Sequence, residues 1–234
     1  MTVRVVLVEP EKAGNIGAIA RSMKNFALSD LWIVNPKTPL TMEARAFAMH
    51  GFDVLRTAKR VKTLKQALRN LDIVVGTSAI IATSRTNITR IPITPLELAQ
   101  RISTFEGNIG LVFGRESSGL SNEEMEHCDL MVTIPANRTY NVLNIASAAS
   151  IIFYELFQTR STRPGPPLAS EVVKARLRME FGRMVNRGGV QPHKRTIVQR
   201  SFRNVISRSF ITSREASLLL GAFRRTSAKL SKLK

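Results

Sequence analysis

With 234 residues, 44% of them hydrophobic, the chain can build one large domain with a small appendage, and it is too apolar for global disorder. It carries 35 Lys/Arg against 17 Asp/Glu, a formal net charge of +18, which points to a polyanionic partner. No cleavage pattern precedes the first apolar run, no run is long enough to span a bilayer, and a single cysteine, Cys128, excludes an internal disulfide. The expectation is a cytoplasmic protein without membrane attachment.

The charge is unevenly spread. Residues 1–160 hold 18 basic and 14 acidic side chains, whereas residues 161–234 hold 17 and 3. The first part has the balanced surface of an ordinary enzyme; the second reads as a basic arm for nucleic acid.

In chain order, apolar runs at 3–8, 30–34, 71–76, 108–113 and 129–134 read as strands, and segments 14–27, 42–50, 61–70 and 95–102 between them as helices. Strands alternating with helices predict an α/β fold with a parallel sheet covered by helices. The first helix repeats Ile16, Ile19, Ala20, Met23 and Ala27 at helical spacing. Ser121 and Glu124 form a capping-box pattern for a short helix. The helix over 143–160 places Ile145, Ala149, Ile152, Phe153 and Leu156 on one face. Prolines at 164, 166 and 167 mark a linker over 161–169. Beyond it, residues 170–234 predict a small basic all-α extension. Its apolar stripes are Val173, Leu177, Phe181 and Met184; then Val198, Phe202, Val205 and Ile206; then Leu219 and Phe223, behind a Thr212–Glu215 capping box.

Ligands of open parallel sheets bind beyond the carboxyl ends of the strands. Four such ends here are rich in small and amide residues: Glu9–Gly17, Gly76–Ala79, Gly114–Gly119 and Pro135–Asn144. Small residues admit close backbone approach, and Asn, Ser and Thr supply hydrogen bonds. Together they predict a cradle. The dinucleotide fingerprint GxGxxG and the phosphate loop GxxxxGK[ST] are both absent, as is the nucleophile elbow GxSxG. His50, His127 and His193 are isolated and Cys128 has no partner at ligand spacing, so no metal is expected. Gly14, Ala18 and Arg21 share one face of the first helix, small except for a single long cation. Arg21 either pairs with a neighbouring carboxylate or is aimed at a phosphate or developing oxyanion, helped by the helix N-terminus.

Three ordered segments, LVEPEKAGNIGAIARSMKNF, LVFGRESSGLSNEE and IPANRTYNVLNIASA, resemble the motifs of the TrmH/TrmJ branch of the SPOUT RNA 2′-O-methyltransferases. The resemblance covers residues 1–160, with TrmJ-type tRNA methyltransferases the nearest group. It implies a methyltransferase domain over 1–160 with a C-terminal trefoil knot, in which the segment around Ile134–Asn144 threads a loop. It further implies S-adenosylmethionine held by Thr77, Ser78, Ala79, Gly114, Ile134, Asn141, Val142 and Leu143. Arg21, Asn15, Glu116 and Asn144 match the positions that catalyse transfer or shape the site. A guanidinium stays protonated at physiological pH, so Arg21 suits a clamp on phosphate and alkoxide better than a base. Glu116 is expected to hold Arg115 or loop backbone.

The same resemblance implies a homodimer with a shared active site, and tRNA as substrate, at the pyrimidine of anticodon-loop position 32. One departure is Val142, where many relatives carry a serine. Ribosomal RNA as substrate, or a non-catalytic basic RNA-binding protein, are the competing expectations.

Overall fold

The computed structural model describes residues 2–79, 92–137, 139–159 and 166–232. They fall into two compact units, divided between residues 159 and 166.

The first unit is a six-stranded, wholly parallel sheet with helices packed on it. In chain order it contains β1 (Thr2–Val8), α1 (Ala13–Asn25), β2 (Asp30–Val34), α2 (Met42–Ala48), α3 (Phe52–Arg56), β3 (Lys59–Val61), α4 (Leu64–Ala67) and β4 (Ile73–Thr77). It continues with α5 (Pro95–Ile102), β5 (Asn108–Phe113), α6 (Asn122–Glu126), β6 (Leu130–Val132) and α7 (Ile145–Gln158). The sheet order is β3-β2-β1-β5-β4-β6. β1 and β5 are therefore neighbours, in register from Thr2 opposite Asn108 to Leu7 opposite Phe113. That pairing brings the loops after them together, although about a hundred residues separate them in sequence.

All five expected strands form. Val5, Val6 and Leu7 of β1 and Leu111, Val112 and Phe113 of β5 are buried, as central parallel strands covered on both faces require. The expected helix over 61–70 is corrected. Lys59–Val61 is a sixth strand, paired to β2 from Trp32 to Val34, and only Leu64–Ala67 is helical. A three-residue edge strand with two cations carries too little alternation to be read from its pattern. Helix α1 buries Ile16, Ile19, Ala20 and Met23, whereas Ala27 lies past its end at φ 55°. The apolar face expected for α7, from Ile145 to Leu156, is the buried one.

The second unit consists of α8 (Glu171–Arg187), α9 (Pro192–Arg208) and α10 (Ser213–Ser231). Its core is Ala169, Leu177, Ile206, Ile211 and Ala216, beside a cluster in which Phe181 stacks on Phe202 at 3.8 Å and Phe223 stands edge-on to both. Leu168 and Ala169, expected in the linker, pack here: the Ala169 N–H donates to the Ile211 carbonyl at 2.8 Å. Residues 161–165 of that linker lie outside the described residues. The capping boxes Ser121–Glu124 and Thr212–Glu215 both form. Among the described residues no helix is long and apolar enough to cross a membrane.

Candidate functional site

The carboxyl ends of β1 and β5 are tied by a reciprocal clamp of two glutamates. Glu116, after β5, accepts the backbone N–H of Glu11 at 2.8 Å, that of Lys12 at 3.2 Å, and the Asn15 amide at 2.9 Å. Glu11, after β1, accepts the Ser117 N–H at 3.1 Å and its hydroxyl at 2.6 Å. Lys12 is the N-cap of α1 and offers no side-chain cap of its own, so Glu116 supplies from another loop the anion that a helix start favours.

Asn15 extends the clamp to a third loop. Its oxygen accepts from the Asn144 amide at 3.0 Å, and the Asn144 oxygen caps α7 by accepting the N–H groups of Ala146 at 2.8 Å and Ser147 at 3.4 Å. A carboxylate can only accept, and backbone N–H groups can only donate. Both amide orientations are therefore fixed from either end: Glu116, Asn15, Asn144 and the start of α7 form one directed chain. Ser22 and Ser150 continue the α1–α7 contact at 2.8 Å, and because Ser150 donates to the Ala146 carbonyl, Ser22 donates to Ser150.

Arg115 does not pair with Glu116. Its guanidinium makes a two-pronged bond to Glu124 at 2.8 and 2.9 Å and a third to Glu9 at 2.9 Å. The bond to Glu124 raises the affinity of Arg115 for its proton, ahead of the opposing effect of burial and the added bond to Glu9. Burial alone would raise the Glu124 carboxyl, but Arg115 and the Ser121 N–H outweigh it and hold it below the usual range. Glu9 behaves likewise, with Asn35, Lys37 and Arg115 overcoming burial. Glu9 and Asn35 both adopt positive φ at the ends of β1 and β2 and are bonded to each other at 2.6 Å.

Of the residues expected around a cofactor, Thr77 ends β4 with Ser78 and Ala79 just after it, and Ile134 follows β6 at the sheet edge. The Thr77 hydroxyl donates to the Val112 carbonyl at 3.1 Å, and the Asn141 amide donates to the Ala79 carbonyl at 3.0 Å. The third-motif loop is thus pinned to the end of β4. Tyr140 and Val142 are 79% and 59% exposed, and Leu143 is also exposed. Apolar side chains left in water beside backbone polar groups fit a planar, largely uncharged ligand such as adenosine. Gly114 is buried, and a Cβ there would overlap Gly119 and Leu120, so its small size closes the 115–119 turn on itself. Gly14 and Gly17 serve α2: a Cβ on Gly17 would overlap the Ala44 carbonyl, and one on Gly14 would press on Glu43 and Phe47.

Arg21 is exposed and, among the described residues, makes neither a hydrogen bond nor an ion pair. It stands eight residues into α1, about 12 Å from the helix start, so the N-terminal dipole expected to assist it acts elsewhere, on Glu116. Gly51 abuts the α1 backbone at Ala20 and Arg21. Glu9 and Glu11 were not singled out by sequence, and Glu124 only as a helix cap. The one signal for the first two was their place at the end of a strand whose adjacency to β5 no local pattern reveals. Among the described residues no His/Cys/Asp/Glu group could hold a metal ion.

A parallel sheet with three polar loops locked together at its carboxyl edge is the frame of an α/β protein that binds its ligand beyond the strand ends. Residues 2–154 match the SpoU rRNA Methylase family, and the chain belongs to that family of methyltransferases. The TrmJ tRNA (cytidine-2′-O-)-methyltransferase of Methanocaldococcus jannaschii is 37% identical over 227 residues, 95% of this chain and 98% of that protein. The TrmJ tRNA (cytidine/uridine-2′-O-)-methyltransferase of Escherichia coli O6:K15:H31 is 42% identical over 156 residues, 66% of this chain and 62% of that protein. The crystal structure of TrmJ from Z. mobilis ZM4 superposes with a TM-score of 0.70 at 26% identity, covering 96% of this chain and 99% of that one. The resemblance drawn from the three sequence motifs is thereby borne out at the level of family and enzyme class.

Proposed function

We propose that the protein transfers a methyl group from S-adenosylmethionine to a ribose 2′-hydroxyl of tRNA, at the anticodon-loop pyrimidine 32. The observation that carries this reading is the directed chain Glu116–Asn15–Asn144, which joins the three motif loops of a methyltransferase at one sheet edge. The near full-length likeness to a tRNA 2′-O-methyltransferase supports the choice of substrate. The family description favours ribosomal RNA as the second reading.

Thr77, Ser78, Ala79, Gly114, Ile134, Asn141, Val142 and Leu143 would hold the cofactor, mainly through backbone groups. When bound, the cofactor supplies an electrophilic methyl on a sulfonium that leaves as a neutral thioether. In-line attack requires the ribose to be held against that methyl. Arg21, without a partner among the described residues, clamps the adjacent phosphate and stabilises the developing alkoxide. The 2′-hydroxyl proton passes to the RNA phosphate or to water. Glu116, Asn15 and Asn144 fix the loops rather than touch the methyl group, which makes them positioning residues.

The protein acts as a homodimer, with Arg21 of one subunit serving the cofactor of the other and a knot formed by the segment around Ile134–Asn144. Support for the dimer comes from α7, whose outer face leaves Ile151, Tyr154 and Phe157 exposed beside Phe26. Residues 1–160 are the methyltransferase domain, and 170–234, joined through a 161–169 linker, the RNA-binding extension.

The test is methyl transfer from labelled S-adenosylmethionine to unmodified tRNA by wild type and Arg21→Ala, with the product nucleotide mapped. A 2′-O-methylated pyrimidine, made about 100-fold or more slowly by a variant that still binds the cofactor, is expected. Cofactor binding with transfer only to ribosomal RNA would move the substrate assignment; absence of cofactor binding would end the enzymatic reading for this chain.

A further inference from the structure

The positive charge of the first unit is not spread over it. Residues 54–71 contain six Lys/Arg and no acidic residue, while the rest of residues 1–160 has 12 basic against 14 acidic side chains, a net charge of −2. All six, Arg56, Lys59, Arg60, Lys62, Lys65 and Arg69, are exposed. Lys59 lies over the Trp32 ring and 3.9 Å from Asp30; the other five have no ion pair among the described residues.

The bland account is protection of an edge: β3 is the last strand of the sheet, and cations on an edge strand block pairing with another chain. It explains Lys59 and Arg60. It does not explain the cleft beside them. That cleft, of about 470 Å³, is lined by Leu40, Thr41, Arg45, Phe52, Leu55, Arg56, Ala58 and Arg60. Three arginines converge on it from three different elements, α2, α3 and β3, and among the described residues none of them is paired with a carboxylate. Arg45 lies over the Phe52 ring, its Cζ 4.7 Å from the centroid, which pre-orders its guanidinium. Unpaired guanidiniums held together cost electrostatic energy in the free protein, which a phosphate-bearing ligand relieves. β3 is two strands from β1, so the cleft is on the order of 10 Å along the sheet from the first-motif strand. That spacing suits a neighbouring stretch of one RNA backbone.

We infer that the cleft walled by Arg45, Arg56 and Arg60 is a second RNA-phosphate site, which grips substrate backbone away from the reacting ribose. It rests on the reading of the protein as an RNA methyltransferase, and it adds a contact that the basic helical unit does not supply.

The experiment compares full-length wild type with Arg56→Gln/Arg60→Gln, and with Arg101→Gln as a charge control at an exposed position of α5. Affinity for a tRNA transcript is measured across a salt series, together with methyl-transfer kinetics, cofactor binding and binding to phosphatidylserine vesicles. Loss of two phosphate contacts lowers the slope of log K against log salt by about 1.4–1.8 and weakens binding roughly tenfold at moderate salt. KM for tRNA is expected to rise with kcat and cofactor affinity unchanged, while Arg101→Gln behaves as wild type. An unchanged slope and affinity in the double variant, with wild type active on tRNA, would overturn this site alone and leave the edge-protection account. Loss of binding to phosphatidylserine vesicles with tRNA affinity intact would overturn it in favour of a membrane contact. A wild type that binds no tRNA would overturn the parent reading and this one together.

Discussion

The two units are built on opposite principles. The sheet unit derives its order from backbone-level fits: strands in register, glycines under crossing helices, and carboxylates that accept N–H groups from loops a hundred residues away. The helical unit derives its order from side chains: a small aliphatic core, three phenylalanines, and capped helices with basic outer faces. Glu180, buried there, accepts from Arg183 and lies near Arg224, and buried Ser227 accepts from Arg187. The first arrangement tolerates little change because backbone cannot repack; the second tolerates exchange of almost any surface residue. This is the division that the proposed function asks of a methyltransferase unit and an RNA-binding one.

The same substitution should have opposite effects in the two. Gly17→Ala places a methyl on the Ala44 carbonyl and forces α1 away from α2, with an expected loss of about 3 kcal/mol in denaturant unfolding. Since Arg21 and Asn15 lie on α1, methyl transfer should fall with it. A Gly17→Ala variant as stable as wild type would remove the close-packing account of that glycine.

A smaller effect is expected at Arg115. Glu9 and Glu124 bond it with side chains about one-fifth exposed, so Arg115→Gln should cost about 2 kcal/mol at neutral pH. Both carboxyls are held below the range of an unfolded glutamate. Their contribution is therefore complete above that range and lost as the pH falls through and below about 4.3. Stability of wild type should drop across that window, and that of the variant should drop less. Parallel acid titrations of unfolding free energy would show that the pair is not coupled to folding.

Much of this was legible in the sequence, for identifiable reasons. Uninterrupted apolar runs such as VRVVLV and NIGLVF announce strands buried on both faces, and Ser121–Glu124 and Thr212–Glu215 announce helix starts through bonds only three residues apart. The face of α7 followed from spacing alone. What was hidden depends on neighbours distant in sequence. The clamp of Glu11 and Glu116 exists because β1 pairs with β5, and nothing local encodes the order β3-β2-β1-β5-β4-β6. For the same reason Gly14 and Gly17 looked like room for a ligand when their neighbour is α2. Arg21 was assigned to the right helix, and a start at residue 14 already set it seven residues in, beyond the first turn to which the helix dipole reaches, so the expected help from the helix N-terminus did not follow even from the sequence.

The smallest expected effect sharpens the comparison from the other side. A Cβ on Gly182, in the middle of α8, would have the Gln199 side chain as its nearest neighbour, at an ordinary contact distance of 3.5 Å. Gly182→Ala should therefore stabilise the helical unit by about 0.5–1 kcal/mol, the intrinsic helix preference of alanine over glycine. A destabilised variant, followed by thermal unfolding, would mean that the α8–α9 contact is tighter than its side-chain character implies.

The division of labour itself is tested most directly on α9, where Lys194, Arg200 and Arg203 are exposed and, among the described residues, unpaired. The measurement is tRNA affinity and cofactor affinity of the full-length Lys194→Gln/Arg200→Gln/Arg203→Gln protein beside wild type, over a range of salt. The expected result is unchanged cofactor affinity with tRNA binding weakened about tenfold or more and a salt slope shallower by roughly two. Undiminished tRNA binding, or a loss of cofactor affinity in step with it, would contradict a helical unit that presents charge and a sheet unit that performs the transfer.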